Sequence, residues 1–303
     1  MIDDAALVIA FGVGVGLLVG MTGIGGGALM TPLLVLFIGT PPVTAVGTDL
    51  AYGAITKTVG AIKHWRQGTI DFALSTWMAI GSVPASVGGV YVMRVLERHF
   101  GGPAFDTFLL YALAGAIAFT GVMTLVRAVF LRQLILLEQH SVEMGARQKA
   151  AAILLGMSVG FVLGITSAGS GSLIALGLIL IFRLTPHRVV GTDIFHAGVV
   201  LWAAAIAHVV AGNVDYALAG TILVGSVPGV WIGSHVSVRL PAGTLRTLLG
   251  VVLIGAAMGL GVKAGLPIPP AAIGVVPVVL GVIILWQRFT DRVARADADT
   301  EAK

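Results

Sequence analysis

The sequence predicts an all-α polytopic membrane protein built from two inverted repeats of about five membrane segments each, with broken or re-entrant helical hairpins. Three observations carry that reading. Of 303 residues, 57% are hydrophobic and 11% are charged, against about 25% charged in a typical soluble domain, so the chain cannot furnish the polar surface of a soluble fold. Long apolar segments recur along its whole length. A shift of 144 residues aligns the two halves without a gap.

The apolar segments run over residues 5–21, 28–38, 43–62, 72–93, 105–130, 150–166, 172–182, 189–210, 216–238, 244–262 and 269–286, followed by a polar tail. Spanning the bilayer core takes about 20 apolar residues at 1.5 Å each. The second and seventh segments are too short for that. Each follows a Gly/Ser cluster, Thr22-Gly-Ile-Gly-Gly-Gly27 or Thr166-Ser-Ala-Gly-Ser-Gly171, and glycine at this density breaks helices. Segments 1 with 2, and 6 with 7, therefore read as broken or re-entrant hairpins. The implied organisation is a first repeat over 1–131, a cytoplasmic linker over 132–149, a second repeat over 150–263, and an extra C-terminal helix with a cytoplasmic tail over 264–303.

The repeat rests on more than apolar character. Gly12, Gly16 and Gly20 match Gly156, Gly160 and Gly164, and Val46-Gly-Thr-Asp49 matches Val190-Gly-Thr-Asp193. His64, Gly68 and Asp71 match His208, Gly212 and Asp215, and Gly81-Ser-Val-Pro84 matches Gly225-Ser-Val-Pro228. About a third of positions from Gly12 to Gly89 equal their partners, which marks a true internal repeat. Loop charges indicate that the copies are inserted in opposite senses. The loop after segment 3 carries Lys63 and Arg66 while its partner has no Lys or Arg. The loop after segment 7 carries Arg183 and Arg188 while its partner is uncharged. With basic loops inside, the linker and the C-terminus are cytoplasmic, the N-terminus is external, and the location is the inner (cell) membrane. Arg94 and Arg98 are an exception to the pattern. The N-terminal Met-Ile-Asp-Asp lacks the basic region of a cleaved signal peptide.

Inverted repeats with broken helices are the mark of secondary transporters, whose sites lie at the repeat interface. A helix N-terminus offers free N–H groups and a positive dipole end to an anion. The candidate substrate-binding set is therefore Thr22, Gly25, Gly26, Gly27, Thr166, Ser167, Gly169, Ser170, Gly171 and Ser172, with Thr48 and Thr192 as polar groups at the start of the following helices. Close packing without a ligand is the alternative reading of the Gly clusters. The G-x-x-x-G series is assigned to packing alone.

Asp49, Asp193 and His196 are the candidate proton-coupling residues, because charge inside a membrane is costly and functional by default. The two aspartates are also read as lying in the first turns of their helices, as dipole partners. His196 follows Asp193 by three residues on one face and is positioned to pair with it. Lys57 is open to three roles: contacting substrate anion, pairing with Asp49, or snorkelling to the cytoplasmic end, the last being preferred. His64 and His208 read as interfacial, and Pro84 and Pro228 as kinks.

The run Gly20-Met-Thr-Gly-Ile-Gly-Gly-Gly-Ala-Leu-Met-Thr-Pro32, with Pro42-Val-Thr-Ala-Val-Gly-Thr48 after it, resembles the TauE/SafE sulfite exporter (TSUP) family. The second copy carries a looser version of the same signature. The resemblance implies transport of sulfite, organosulfonates or related small oxyanions. Asp49 and Asp193 stand where that family often has serine. The expected function is a secondary transporter, an exporter of small sulfur-containing anions, with proton-coupled import or an anion channel as alternatives.

Other classes find no footing. Gly23-Ile-Gly-Gly-Gly-Ala28 matches a dinucleotide fingerprint but follows a helix rather than a strand. There is no Cys, no H-E-x-x-H and no G-x-S-x-G, so no enzyme, cofactor or metal is expected. The partners are a small anion and the bilayer, not nucleic acid.

Overall fold

A computed structural model describes residues 2–22, 27–130, 141–168, 170–236 and 242–301. These residues form eleven helices and no sheet. The first half holds α1 (Ile2–Thr22), α2 (Gly27–Leu33), α3 (Pro42–Arg66), α4 (Phe72–Phe100) and α5 (Gly102–Phe130). The second holds α6 (Ala146–Thr166), α7 (Ser170–Leu180), α8 (Pro186–Ala211), α9 (Tyr216–Val236) and α10 (Ala242–Lys263), and α11 (Pro270–Glu301) closes the chain. A π-helical turn, Leu34–Ile38, extends α2.

Each apolar segment is a helix, with ends moved by a few residues. Two shifts matter. α3 and α8 begin at Pro42 and Pro186, because proline's fixed φ suits the first helical position. Asp49 and Asp193 therefore stand about two turns inside their helices, and no acidic residue occupies either first turn. The dipole-partner reading is thereby corrected, since that effect fades beyond the first turn. The polar tail also differs from expectation. It continues α11 to Glu301, consistent with its Ala, Arg and Glu content and with opposite charges at helical spacing. Pro84 and Pro228 lie within continuous helices.

Among the described residues, α4, α5, α6, α8, α9 and α10 are long and apolar enough to cross a membrane. α7, with 11 residues, is about half the length of the hydrocarbon core. Large apolar side chains such as Val59, Tyr91, Val210 and Trp231 are more than 60% exposed. Lipid, not water, is the solvent that accommodates them. The chain is thus an all-α polytopic membrane protein.

The two longest contacts are made by glycine. α6 lies along α4, and α1 along α9. A Cβ on Gly156, Gly160 or Gly164 would strike the carbonyl oxygen of Met78, Ser82 or Ser86 in α4. On the other pair, Gly225, Gly229 and Gly233 of α9 meet the carbonyls of Ile9, Val13 and Leu17. The missing side chains let backbone touch backbone, which is how helices associate when lipid is as apolar as leucine. α3 crosses α8, and α5 lies along α10.

Polar ties join the halves at matched places. The Asp71 N–H donates to Thr192 Oγ1 at 3.0 Å, and the Asp215 N–H donates to Thr48 Oγ1 at 3.0 Å. Each aspartate then caps its own helix, accepting from Leu74 N–H at 3.0 Å or Leu218 N–H at 2.9 Å. The indole of Trp202 donates to Thr58 Oγ1 at 2.8 Å.

A branched side chain in the glycine face should force helices apart. Gly156→Val is expected to cost about 2 kcal/mol or more, seen as a lower thermal midpoint in detergent. Gly88→Val, where an added Cβ meets nothing within 4 Å, should leave the midpoint nearly unchanged.

Candidate functional site

The break between α6 and α7 is fully accounted for by its own residues up to Ala168. α6 ends where Ser167 adopts a left-handed φ of 55°, and the Ser167 N–H still bonds the Leu163 carbonyl at 2.8 Å. Thr166 Oγ1 donates to the Val162 carbonyl at 2.7 Å and accepts the Ala168 N–H at 3.3 Å. Among the described residues only Ser167 and Arg183 combine a side chain with positive φ. Such a conformation is held in place by its surroundings.

Those surroundings are a buried polar cluster that joins the halves. Thr31 of α2 donates to Asp49 Oδ2 at 2.7 Å, and Ser167 donates to the same oxygen at 2.8 Å. The two hydroxyls lie 2.6 Å apart. All three residues are at most 1% exposed. Asp49 Oδ1 has no hydrogen-bond partner among the described residues. The break of the second half thus rests on a carboxylate of the first.

The matching carboxylate, Asp193, has different company. The residues 144 positions away from Thr31 and Ser167 are Ala175 and Gly23, and neither carries a hydroxyl. Asp193 is 4% exposed, and its Oδ1 has no hydrogen-bond partner among the described residues. Lys57 is 8% exposed and packs against Gly198 one turn beyond Asp193. That burial corrects the snorkelling reading, and among the described residues Lys57 closes no ion pair with Asp49. Asp193 and His196 form no hydrogen bond to each other among the described residues. His196 Nε2 meets Ser82 Oγ at 2.9 Å, while His196 Nδ1 and Asp193 Oδ1 have no hydrogen-bond partner among the described residues.

The remaining candidates are dispersed. Thr48 and Thr192 are buried and accept the backbone N–H bonds at the starts of α9 and α4. Ser172 is 1% exposed, and its hydroxyl has no partner among the described residues. Gly27 and Ser170 begin α2 and α7, Gly171 follows in α7, and Thr22 ends α1. Gly25, Gly26 and Gly169 lie outside the described residues. His64 bonds Thr69 Oγ1 at 2.9 Å at the end of α3. His208 is fully buried and donates to the Gly164 carbonyl at 3.1 Å, so an interfacial reading does not describe it.

Sequence reasoning missed Thr31, Ser82 and Arg127. Thr31 is the one hydroxyl in the apolar run 28–38, and its match is alanine. Arg127 reads as a linker charge, yet it lies inside the apolar run 105–130 and is 6% exposed. Each was detectable as a polar residue out of keeping with its segment.

Apolar helices spanning a bilayer, a broken hairpin and a buried inter-half polar cluster describe a multi-pass membrane transporter. Comparison with known proteins gives the family. Residues 8–260 match the model described as Sulfite exporter TauE/SafE, and the chain belongs to that family. It is 39% identical over 250 residues to "Probable membrane transporter protein YjnA" of Bacillus subtilis (strain 168), covering 82% of this chain and 96% of that one. "Probable membrane transporter protein YdhB" of the same organism is 29% identical over 77% of this chain and 91% of its own. A "Probable membrane transporter protein" of Xylella fastidiosa (strain 9a5c) is 28% identical over 84% and 94%. No solved structure matches significantly. The family and these relatives are described as transporters, not as enzymes.

Thr192→Val should leave the Asp71 N–H without an acceptor and destabilise the protein by about 1–3 kcal/mol. Thr192→Ser keeps the acceptor and should recover most of the thermal midpoint.

Proposed function

We propose that this protein is a secondary transporter that exports small sulfur-containing anions such as sulfite or organosulfonates from the cell. It works by alternating access, with the anion held between the broken-helix N-termini that open α2 and α7. The observation that carries the reading is the seating of the α6–α7 break on Asp49 and Thr31 of the other half. Transporter sites belong at such junctions of discontinuous helices. The exchange of partners, α1 with α9 and α6 with α4, supports two units, 1–131 and 150–263, inserted in opposite senses around linker 132–149. The N-terminus is then external and the C-terminus cytoplasmic in the inner membrane. Each negative charge leaving the cell gains about 2.3 kcal/mol per 100 mV, so export runs without a coupling ion.

A second reading, proton-coupled movement of an organosulfonate or other small oxyanion, is favoured by the hydroxyl–carboxyl triangle. Its three edges of 2.6–2.8 Å need three protons, and two hydroxyls supply at most two. With Asp49 ionised, both hydroxyls donate to Oδ2 and none is left for the edge between them; with Asp49 protonated, its carboxyl donates to one hydroxyl and frees that one to bond the other. Asp49 is then the residue that takes up and releases a proton as the break moves.

Proteoliposomes loaded with radiolabelled sulfite or a sulfonate test both readings. Protein-dependent flux is expected, increasing with membrane potential for uncoupled export and with a pH gradient for coupling. Absence of flux under both conditions refutes the transporter assignment. If the proton reading holds, Asp49→Asn abolishes the response to a pH gradient while anion exchange between the two faces persists. A response that survives in Asp49→Asn removes Asp49 from the coupling role.

A further inference from the structure

The α6–α7 hairpin passes through two apolar clusters. Its tip, with Leu163 and Ala168 beside the break, belongs to a cluster that holds Met30, Leu34 and Ile222. Its body, with Val159 and Ile174, belongs to a second that holds Leu74, Met78, Leu178 and Phe182. The clusters correspond in the register of the repeat, since Leu74, Met78, Ile174 and Leu178 match Leu218, Ile222, Met30 and Leu34. The second cluster fills the bundle from the break to the starts of α4 and α6 and the end of α7. There it is roofed. Residues 142–144, which lead into α6, lay Val142 and Met144 against it. The Val142 N–H donates to Asp71 Oδ2 at 3.4 Å, and Arg188 of α8 reaches the same oxygen at 3.8 Å. Asp71 is buried beneath these contacts. The Lys149 ammonium, in the first turn of α6, lies 4.8 Å from the centre of the Trp77 ring, and Trp77 packs on the cluster. Both contacts to Asp71 Oδ2 exceed the usual N–H···O length of about 2.9 Å, so the roof is held by bonds weak enough to release.

We propose that this second cluster is a gate closing the path between the α6–α7 break and the linker face, and that residues 142–144 are its latch. The inference rests on the transport reading and adds to it the element that opens. An oxyanion cannot cross a dry apolar plug without shedding water that nothing there replaces. Hydrophobic constrictions close ion paths for this reason. Asp71 is the point at which the parts that must separate are joined. Its N–H bonds Thr192 of α8, its Oδ1 caps α4, and its Oδ2 takes both Arg188 and the Val142 N–H. With Val142 and Met144 seated, the starts of α4 and α8 are tied through one carboxylate and Leu74 is shielded from water. With them released, the tie loses a bond and the plug loses its cover.

The chain has no cysteine, so single thiols report on the roof without background. Leu74→Cys, at a fully buried position of the cluster, and Leu218→Cys, its match in the other cluster, are labelled in the detergent-purified full chain with a water-soluble maleimide. Val142→Pro deletes the N–H that Asp71 accepts, and Met144→Glu sets a charge against apolar side chains. Each should speed labelling at position 74 about tenfold or more and leave position 218 within about twofold. Val142→Ile keeps the donor and an apolar side chain and should change neither. A rate at 74 that does not move, or one that rises equally at 218, overturns the latch. If Met144→Glu fails to fold, Val142→Pro decides alone. The gate is tested by locking it. Asp71→Cys with Val142→Cys is bridged by a short, reducible bis-thiol reagent, and sulfite flux in proteoliposomes is followed before bridging, after it and after reduction. Bridging should slow flux about tenfold or more, and reduction should restore it. If that variant is inactive before bridging, Met144→Cys with Trp77→Cys, two positions on the same cluster, carries the same test. Flux untouched by a completed bridge overturns the gate. Absence of flux in wild type refutes the transport reading instead, and labelling at position 74 still decides the latch.

Discussion

Contact of backbone with backbone, made possible by glycine, is what the rest of this structure depends on. Where α6 meets α4, three glycines at four-residue spacing place the α6 backbone on the carbonyls of Met78, Ser82 and Ser86. The rail so formed fixes the height and rotation of α6, and therefore where its last turn stops. Ser167 is delivered to Asp49 by that stop. The same α4 presents Ser82 to His196 at 2.9 Å. In lipid, where no hydrophobic force draws helices together, loss of this intimate fit has little to replace it.

Polar groups inside the bundle sort into two kinds. Some are settled by bonds across the halves, as in Thr48 with Asp215 and Thr192 with Asp71. Others are left, among the described residues, with an unbonded atom: Asp49 Oδ1, Asp193 Oδ1, His196 Nδ1, Ser172 Oγ and Arg127 Nε. Most of the second kind belong to α3 and α8 or to the helices facing them. An unmet polar atom in a dry interior costs a few kcal/mol. In the second kind no bond among the described residues offsets that cost.

Helix positions were readable because a bilayer imposes one rule, that the backbone satisfy itself internally. Apolar runs, glycine breaks and the 144-residue register follow directly from that rule. The polar cluster was only half readable. Asp49, Ser167 and His196 stand out as polar residues in apolar runs, but nothing local says that Thr31 and Ser167, 136 positions apart, share one oxygen. Arg127 was hidden by its position next to a basic linker. The proline at 186 was visible, yet the apolar count began after it, at 189, and that moved Asp193 into a first turn it does not occupy; Asp49 stands well past the first turn from either Pro42 or Val43. Composition shows which segments enter the membrane. It does not show which polar faces meet there.

Thr58 and Trp202 are 144 residues apart, so the bond between them at 2.8 Å joins two positions that correspond to each other in the register of the repeat. A dimer of two identical chains would have to set like against like at that point, threonine on threonine or tryptophan on tryptophan. One polypeptide carrying both copies escapes that restriction. The same freedom lets one aspartate bond two hydroxyls that its counterpart lacks, and lets Tyr52 occupy the position that His196 holds in the other copy. Covalent fusion thereby allows the two halves to hold chemically distinct environments on a shared scaffold. Two matched positions can then carry unlike chemistry within one small protein.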